Sequence, residues 1–373
     1  MFFELLRSGL YGIPIPSDRL PRHIKWKKIV DTARKNAVLG IIIESLQFLP
    51  SSLLPPSDIA VGMKRYALSL IRSNMTMDRA AAKLTERFRE HGIEGVVMKG
   101  QGVARYYRIP QIRQSGDIDF YVGKDLYRNA IRIAEEYLAD KSSHDDENEQ
   151  HYMFWMDGVP VELHRLASKI YTPRRNRRFQ KWIISRLENP EARRSIVIDN
   201  VEVSVPSYDF DAVYIFYHAW RHYIVSGIGL RQLCDWAMVL HSHYDDIDID
   251  RLISNLHSFG MTKGWKLFGC IAVEYLGLPA AKMPLYDPSY SRKAAKTLAS
   301  ILEGGSFGHY SRLNAGVPGR DQGLRYALRK IRPVIVSSFN MLKEIPVEAF
   351  FMLLDRIYHG SIDCIRRANR KKR

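Results

Sequence analysis

A change of hydrophobic period near residue 95 constrains the fold of this chain more than any other feature. Upstream, apolar residues recur at three- and four-residue spacing over 24–49, as far as Pro50. They do so again after Pro55-Pro56-Ser57-Asp58, in a long amphipathic stretch that ends at His91-Gly92. This spacing predicts helices, the long one with Ser57 or Asp58 as N-cap and Gly92 at its C-cap. The period then shortens. Residues 95–98 and 118–122 are short β-branched and apolar runs that read as strands, with a Lys99-Gly100-Gln101-Gly102 loop and a short helix over 103–107 between them. An amphipathic helix is expected over 124–138. The acidic stretch 140–150 reads as an exposed loop. Two further runs, 151–156 and 159–163, flank Asp157-Gly158, a strong hairpin signal. Residues 173–189 predict a basic helix, and 195–205 a β ribbon around Asp199-Asn200. From Pro206 the helical period returns, most clearly over 211–224 and 230–243, with breaks at 304–308 and Pro318-Gly319. The order predicts an α+β chain: an N-terminal helical segment (1–90), a core with a small mixed sheet flanked by helices (91–205), and a C-terminal helical domain with a basic tail (206–373).

Bulk properties narrow the class. At 373 residues the chain is long enough for more than one core. Its 46% hydrophobic and 26% charged residues are typical of globular proteins, and no apolar run approaches the roughly 18–20 residues of a membrane-spanning helix. The first seven residues read as the start of a helix and not as a signal peptide. Cys234, Cys270 and Cys364 lie too far apart for a metal or disulfide framework. The first two fall in apolar helical stretches and are expected in the core, and a cytoplasmic location fits. The net charge of +16 favours anionic partners. Arg174, Arg175, Arg177 and Arg178 and the tail 366–373 are dense basic runs, either solvated or in contact with a polyanion.

The chemistry concentrates at Gly116-Asp117-Ile118-Asp119. On a strand, Asp117 and Asp119 point to one side and Ile118 and Phe120 to the other. Two adjacent carboxylates repel unless a cation lies between them, and hard oxygen ligands favour Mg²⁺. Glu162, on the polar side of its own strand with His164, is the candidate third carboxylate of a two-metal site. The bland alternative is a turn motif and a surface acid. A second Asp-x-Asp, within 245–250, reads as a helix N-cap region. Arg231 and Asp235 are spaced for an i, i+4 ion pair. His218, Arg221 and His222 share or flank one helix face, and the helical region they belong to is either packing or one wall of a cleft. The aromatic stretch 214–223 is expected to be core.

Three segments carry a resemblance: 96–107 (with Met98-Lys99-Gly100-Gln101-Gly102), 113–122, and Val161-Glu162-Leu163-His164. Together they resemble the uncharacterised nucleotidyltransferase family of bacteria, within the polymerase-β-like nucleotidyltransferase superfamily. A looser likeness continues through 217–222 and 229–236. The resemblance implies a polymerase-β-like core and transfer of a nucleoside monophosphate from a nucleoside triphosphate (NTP), such as ATP, with release of pyrophosphate. It implies that Asp117, Asp119 and Glu162 bind two Mg²⁺ ions, with Mn²⁺ as a substitute. Gly100 would let backbone amides approach the triphosphate, with Gln101 and Gly116 beside it. Lys99 and Arg113 would neutralise phosphate charge. His164 either touches substrate or positions Glu162, or it is a hydrogen-bonded structural histidine. Where the wider superfamily has Gly-Gly or Gly-Ser at the phosphate turn, this chain has Lys99-Gly100, so how the triphosphate is held is open. The acceptor, whether RNA, small molecule, peptide or protein, is also open. The alternative is a catalytically degenerate module that binds nucleic acid through the basic loop and tail.

Overall fold

The computed structural model describes residues 1–140, 146–147, 150–225, 227–305 and 346–355. The N-terminal region is helical: α1 (Phe2–Tyr11), α2 (Trp26–Lys35), α3 (Leu39–Glu44) and the 34-residue α4 (Ser57–Glu90). Helix α4 begins one residue earlier than a Ser57 cap requires and two earlier than an Asp58 cap requires. Pro56 takes the cap position, its carbonyl accepting the Ala60 N–H, and Asp58 falls in the first turn, where it complements the helix dipole. At the other end Gly92 (φ +73°) turns the chain out of the helix.

Next come β1 (Val96–Met98), α5 (Gly100–Ala104), β2 (Ile118–Tyr121), α6 (Gly123–Tyr137), β3 (Asp146–Glu147), β4 (His151–Met156) and β5 (Val159–His164). The strands form one mixed sheet in the order β1-β2-β5-β4-β3. Only β2 and β5 run parallel, and their register sets Asp119 beside Glu162. The acidic stretch 140–150 is not all loop, because Asp146–Glu147 adds an edge strand to β4. Both turn predictions hold for a physical reason. Asp157 and Gly158 (φ +53° and +73°), and Asp199 and Asn200 (φ +47° and +65°), take the left-handed conformation that two-residue hairpins need. Asp199-Asn200 joins β6 (Arg193–Ile198) to β7 (Val201–Pro206) in a separate ribbon, after α7 (Pro173–Leu187).

The remainder is helical: α8 (Tyr208–Val225), α9 (Leu230–His243), α10 (Ile249–Phe259), α11 (Thr262–Glu274), α12 (Ser291–Gly304) and a helix over 346–355. Asp248 caps α10 through the Arg251 N–H, so the second Asp-x-Asp is a capping segment. Cys234 and Cys270 are buried and free. Cys364, the tail 366–373 and the break at Pro318-Gly319 lie outside the described residues. No helix among the described residues is long and apolar enough to cross a membrane.

Alternation along the strands divides the packing. Val97, Ile118, Phe120, Phe154, Val161 and Leu163 join α4 and α6 in one core, with Leu84, Phe88 and Ile133. Val96, Met98 and Tyr121, on the opposite face, join a larger core that α1–α3 share with α8–α12. Close approaches tie the N-terminal helices in. A Cβ on Gly9 would sit 1.9 Å from the Ile41 carbonyl oxygen, and one on Gly40 would sit 2.0 Å from that of Ile112. The face that carries Asp119 and Glu162 therefore looks onto the helical layer, and the cleft lies between the two.

Candidate active site

Strand β1 ends in a tight turn. Lys99 lies at φ +51°, a region that non-glycine residues seldom adopt, and Gly100 at φ +35°. A Cβ on Gly100 would meet the Asp117 carbonyl oxygen at 3.3 Å, so the turn passes close under the Asp117 backbone. It delivers the Lys99 ammonium to within 2.7 Å of Asp119 Oδ1 and 3.4 Å of His218 Nδ1 on α8.

From β5, His164 Nε2 lies 2.9 Å from Asp119 Oδ1 and 3.2 Å from Glu162 Oε2. His151 lies opposite His164 in the β4–β5 register, with Nδ1 3.5 Å from Glu162 Oε2. Oxygens of Asp117, Asp119 and Glu162 come within 4.8 Å of one another, and so do ligand atoms of His151, Glu162 and His164.

The electrostatics follow from this crowding. Burial, followed by the neighbouring Asp119 charge, raises the Asp117 carboxyl to about 6. Burial acts the same way on Asp119, but Lys99 and His164 outweigh it and hold that carboxyl well below the usual range. Glu162 is likewise lowered: burial opposes its charge, and the hydrogen bond to His164 prevails. His164 itself rises to about 9, because its bonds to Asp119 and Glu162 overcome the cost of burying its charge. On the α8 wall the sign reverses. Burial and the Lys99 charge keep His218 well below the ordinary value and lower His222 to about 4. Both are neutral imidazoles at pH 7.

These groups line a cleft of about 760 Å³, with Gly100, Gly116, Lys169, Arg221 and Arg231 also on its walls. A cleft of this size accommodates a nucleotide-sized ligand. Of the residues expected from the sequence, the structure brings Lys99, Gly100, Gly116, Asp117, Asp119, Glu162 and His164 together. Two others have structural work. Gln101 does not line the cleft: it is buried, its amide donating to Asp78 and its carbonyl accepting from Ser115 Oγ. Arg113 reaches the cleft, but Nε and Nη2 form a bidentate pair with Asp235, each at 2.8 Å. Asp235 therefore pairs with an arginine 122 residues away and not with its helix neighbour Arg231. Arg231 instead donates from Nη1 to the Gln114 carbonyl at 2.7 Å, and its buried Nε has no partner among the described residues.

The aromatic stretch 214–223 divides by face: Tyr214, Phe216, Tyr217 and Trp220 are buried, while His218, Arg221 and His222 form a cleft wall. Sequence reasoning missed His151, Lys169 and the cleft position of the Arg231 guanidinium. His151 had a signal, because a two-residue turn at Asp157-Gly158 fixes a register that pairs 151 with 164. Arg174, Arg175, Arg177 and Arg178 lie in the first turns of α7, away from the cleft lining.

A mixed sheet under a helical layer, with clustered carboxylates in the cleft between, defines an α+β protein with a candidate metal-binding site. Residues 22–277 match the uncharacterised nucleotidyltransferase family, and the chain belongs to it. No curated protein matches the chain. Among solved structures, it is similar to an antigenic nucleotidyltransferase-like protein from Paracoccidioides brasiliensis. The two share 11% identity over 58% of this chain and 96% of that one, at a TM-score of 0.32.

Proposed function

We propose that the protein is a Mg²⁺-dependent nucleotidyltransferase of the polymerase-β type, which moves a nucleoside monophosphate from a nucleoside triphosphate to an acceptor and releases pyrophosphate. The observation that carries this reading is the convergence of Asp117, Asp119 and Glu162 within 4.8 Å, in a cleft whose walls also bear cations. The donor set fits the ion. All three are hard oxygen ligands, and the burial and neighbouring Asp119 charge that raise the Asp117 carboxyl are both penalties that a bound cation would offset. Mn²⁺ fits the same ligands. When bound, the metal neutralises phosphate charge and lowers the pKa of the attacking hydroxyl.

The chain's own groups supply the rest. Gly100 lets backbone approach the phosphates without a side chain in the way. Lys99 and Arg231 offer positive charge to phosphate oxygens, Arg231 through an Nε that has no partner among the described residues. Arg113 acts indirectly, anchoring the 113–116 loop to α9 through Asp235. His164 holds Asp119 and Glu162 in place. Burial lowers the His151 pKa, which leaves a neutral base beside Glu162 for the proton an acceptor hydroxyl loses.

The test is transfer of label from an α-phosphate-labelled triphosphate, with each of the four bases, in the presence of Mg²⁺. Wild type is expected to label an acceptor, and Asp117→Ala or Asp119→Ala to show no transfer. Full activity in either variant would remove the site from the reaction. The competing reading, a module that only binds nucleic acid, is favoured by one observation: Asp119 is already neutralised by Lys99 and His164. Binding of nucleic acid with no binding of Mg²⁺-nucleotide would establish it.

A further inference from the structure

Between residues 19 and 36 the chain carries seven Lys and Arg against one acid, Asp31. In the structure this segment contains α2, which buries Trp26, Ile29, Val30 and Ala33 and turns its charges outward. Arg22, Lys25, Lys27, Lys28 and Arg34 are exposed, and among the described residues none of them forms an ion pair. Lys25, Lys27 and Lys28 border one open depression. On α4, by comparison, two cations have acidic partners among the described residues, Lys83 with Asp157 and Arg87 with Glu90.

The position of α2 gives the face its meaning. Asn36, the residue after α2, accepts a hydrogen bond from the Arg231 backbone N–H at 3.3 Å. Arg34 lies over the Tyr66 ring at 5.8 Å, and the Tyr66 hydroxyl donates to Gln114, whose carbonyl holds the Arg231 guanidinium. The exposed cations of a helix about 15 Å long are thus linked, through Arg34, Tyr66 and Gln114, to the Arg231 wall of the cleft.

We infer that this face is a track for the phosphate backbone of a single-stranded nucleic acid whose end reaches the cleft, so that the acceptor is a nucleic acid strand. The inference rests on the nucleotidyltransferase reading for what happens at that end. A row of unpaired cations suits a ligand with repeating anions, and a lone nucleotide would use only one position. A lipid surface fits poorly, because interfacial helices insert an apolar face and that of α2 is buried in the core. Trp26 is buried as well and offers no stacking platform, so binding runs through phosphates and does not depend on sequence.

The experiment uses the full chain and a labelled 20-nucleotide single-stranded RNA of mixed sequence, followed by fluorescence anisotropy at two salt concentrations. The triple variant Lys25→Glu/Lys27→Glu/Lys28→Glu is compared with Arg177→Glu/Arg178→Glu, and thermal melting verifies that both are folded. The track predicts that the triple variant loses roughly ten- to a hundredfold in affinity and that its log–log salt slope falls by about 2, with the α7 variant near wild type. Equal RNA affinity in the triple variant, loss confined to the α7 variant, or binding to phosphatidylserine vesicles in preference to RNA would overturn it. Calorimetry of Mg²⁺-ATP on wild type separates the two claims. RNA binding that depends on the track without nucleotide binding supports the track and overturns the transferase reading. Nucleotide binding without RNA binding overturns the track alone.

Discussion

Arg113 and Asp235 show what a single pair can hold together. Both are buried, and the Tyr107 hydroxyl also donates to Asp235, at 2.8 Å. Asp235→Leu leaves a buried guanidinium unpaired and should cost about 3–5 kcal/mol in urea unfolding, while Arg113→Met in the same chain should recover much of the loss. Arg231→Met removes a cation from the cleft without breaking such a pair. It is expected to raise KM for the triphosphate more than it lowers stability, as steady-state kinetics and melting read together will show. Asp211 carries a pH signature. Burial raises its carboxyl to about 7, against a hydrogen bond from Tyr106. Between about pH 4 and 7 the folded state therefore binds more protons than the unfolded one, and stability falls as pH rises through that window, by at most about 1.4 kcal/mol per pH unit. Asp211→Asn should flatten that dependence in unfolding measured across the range. At this scale the sequence made the acids legible, because the strand period alone places Asp117 with Asp119 and Glu162 with His164. It hid the Arg113 partner, since local spacing proposes Arg231 for Asp235 and has no means of seeing a contact 122 residues away.

Elements were legible where backbone chemistry is local. The hairpin turns at Asp157-Gly158 and Asp199-Asn200 and the span of α9 follow from turn residues and apolar period. The start of the helix after β1 did not, because a left-handed Lys99 is not a conformation the residue type suggests. The short edge strand Asp146–Glu147 was hidden too, in an acidic stretch where only pairing with β4 makes a strand. Packing between elements is the least visible in sequence. Gly9 reads as an ordinary helix residue, yet α1 crosses α3 so closely that a methyl group there meets the Ile41 carbonyl. Gly9→Ala should force the helices apart and cost about 1–3 kcal/mol, the range of an overpacked contact, with a lowered urea midpoint as the readout.

At the scale of the molecule, the sheet has two faces and two cores, and the cleft forms where one face meets the helical layer. Strand order decides the site: only a parallel β2–β5 pair sets Asp119 beside Glu162, and nothing in either strand's own pattern specifies that neighbour. The helical layer contributes what the strands lack, the neutral imidazoles of α8 and the cations Arg221 and Arg231. On the proposed function, this cleft binds a nucleoside triphosphate through a metal held by three carboxylates. Calorimetric titration of the full chain with each triphosphate, with Mg²⁺ and then with EDTA, tests it most directly. At least one triphosphate is expected to bind in a manner that needs Mg²⁺ and is lost in Asp119→Asn. Binding that persists in EDTA, or that survives Asp119→Asn unchanged, would contradict it.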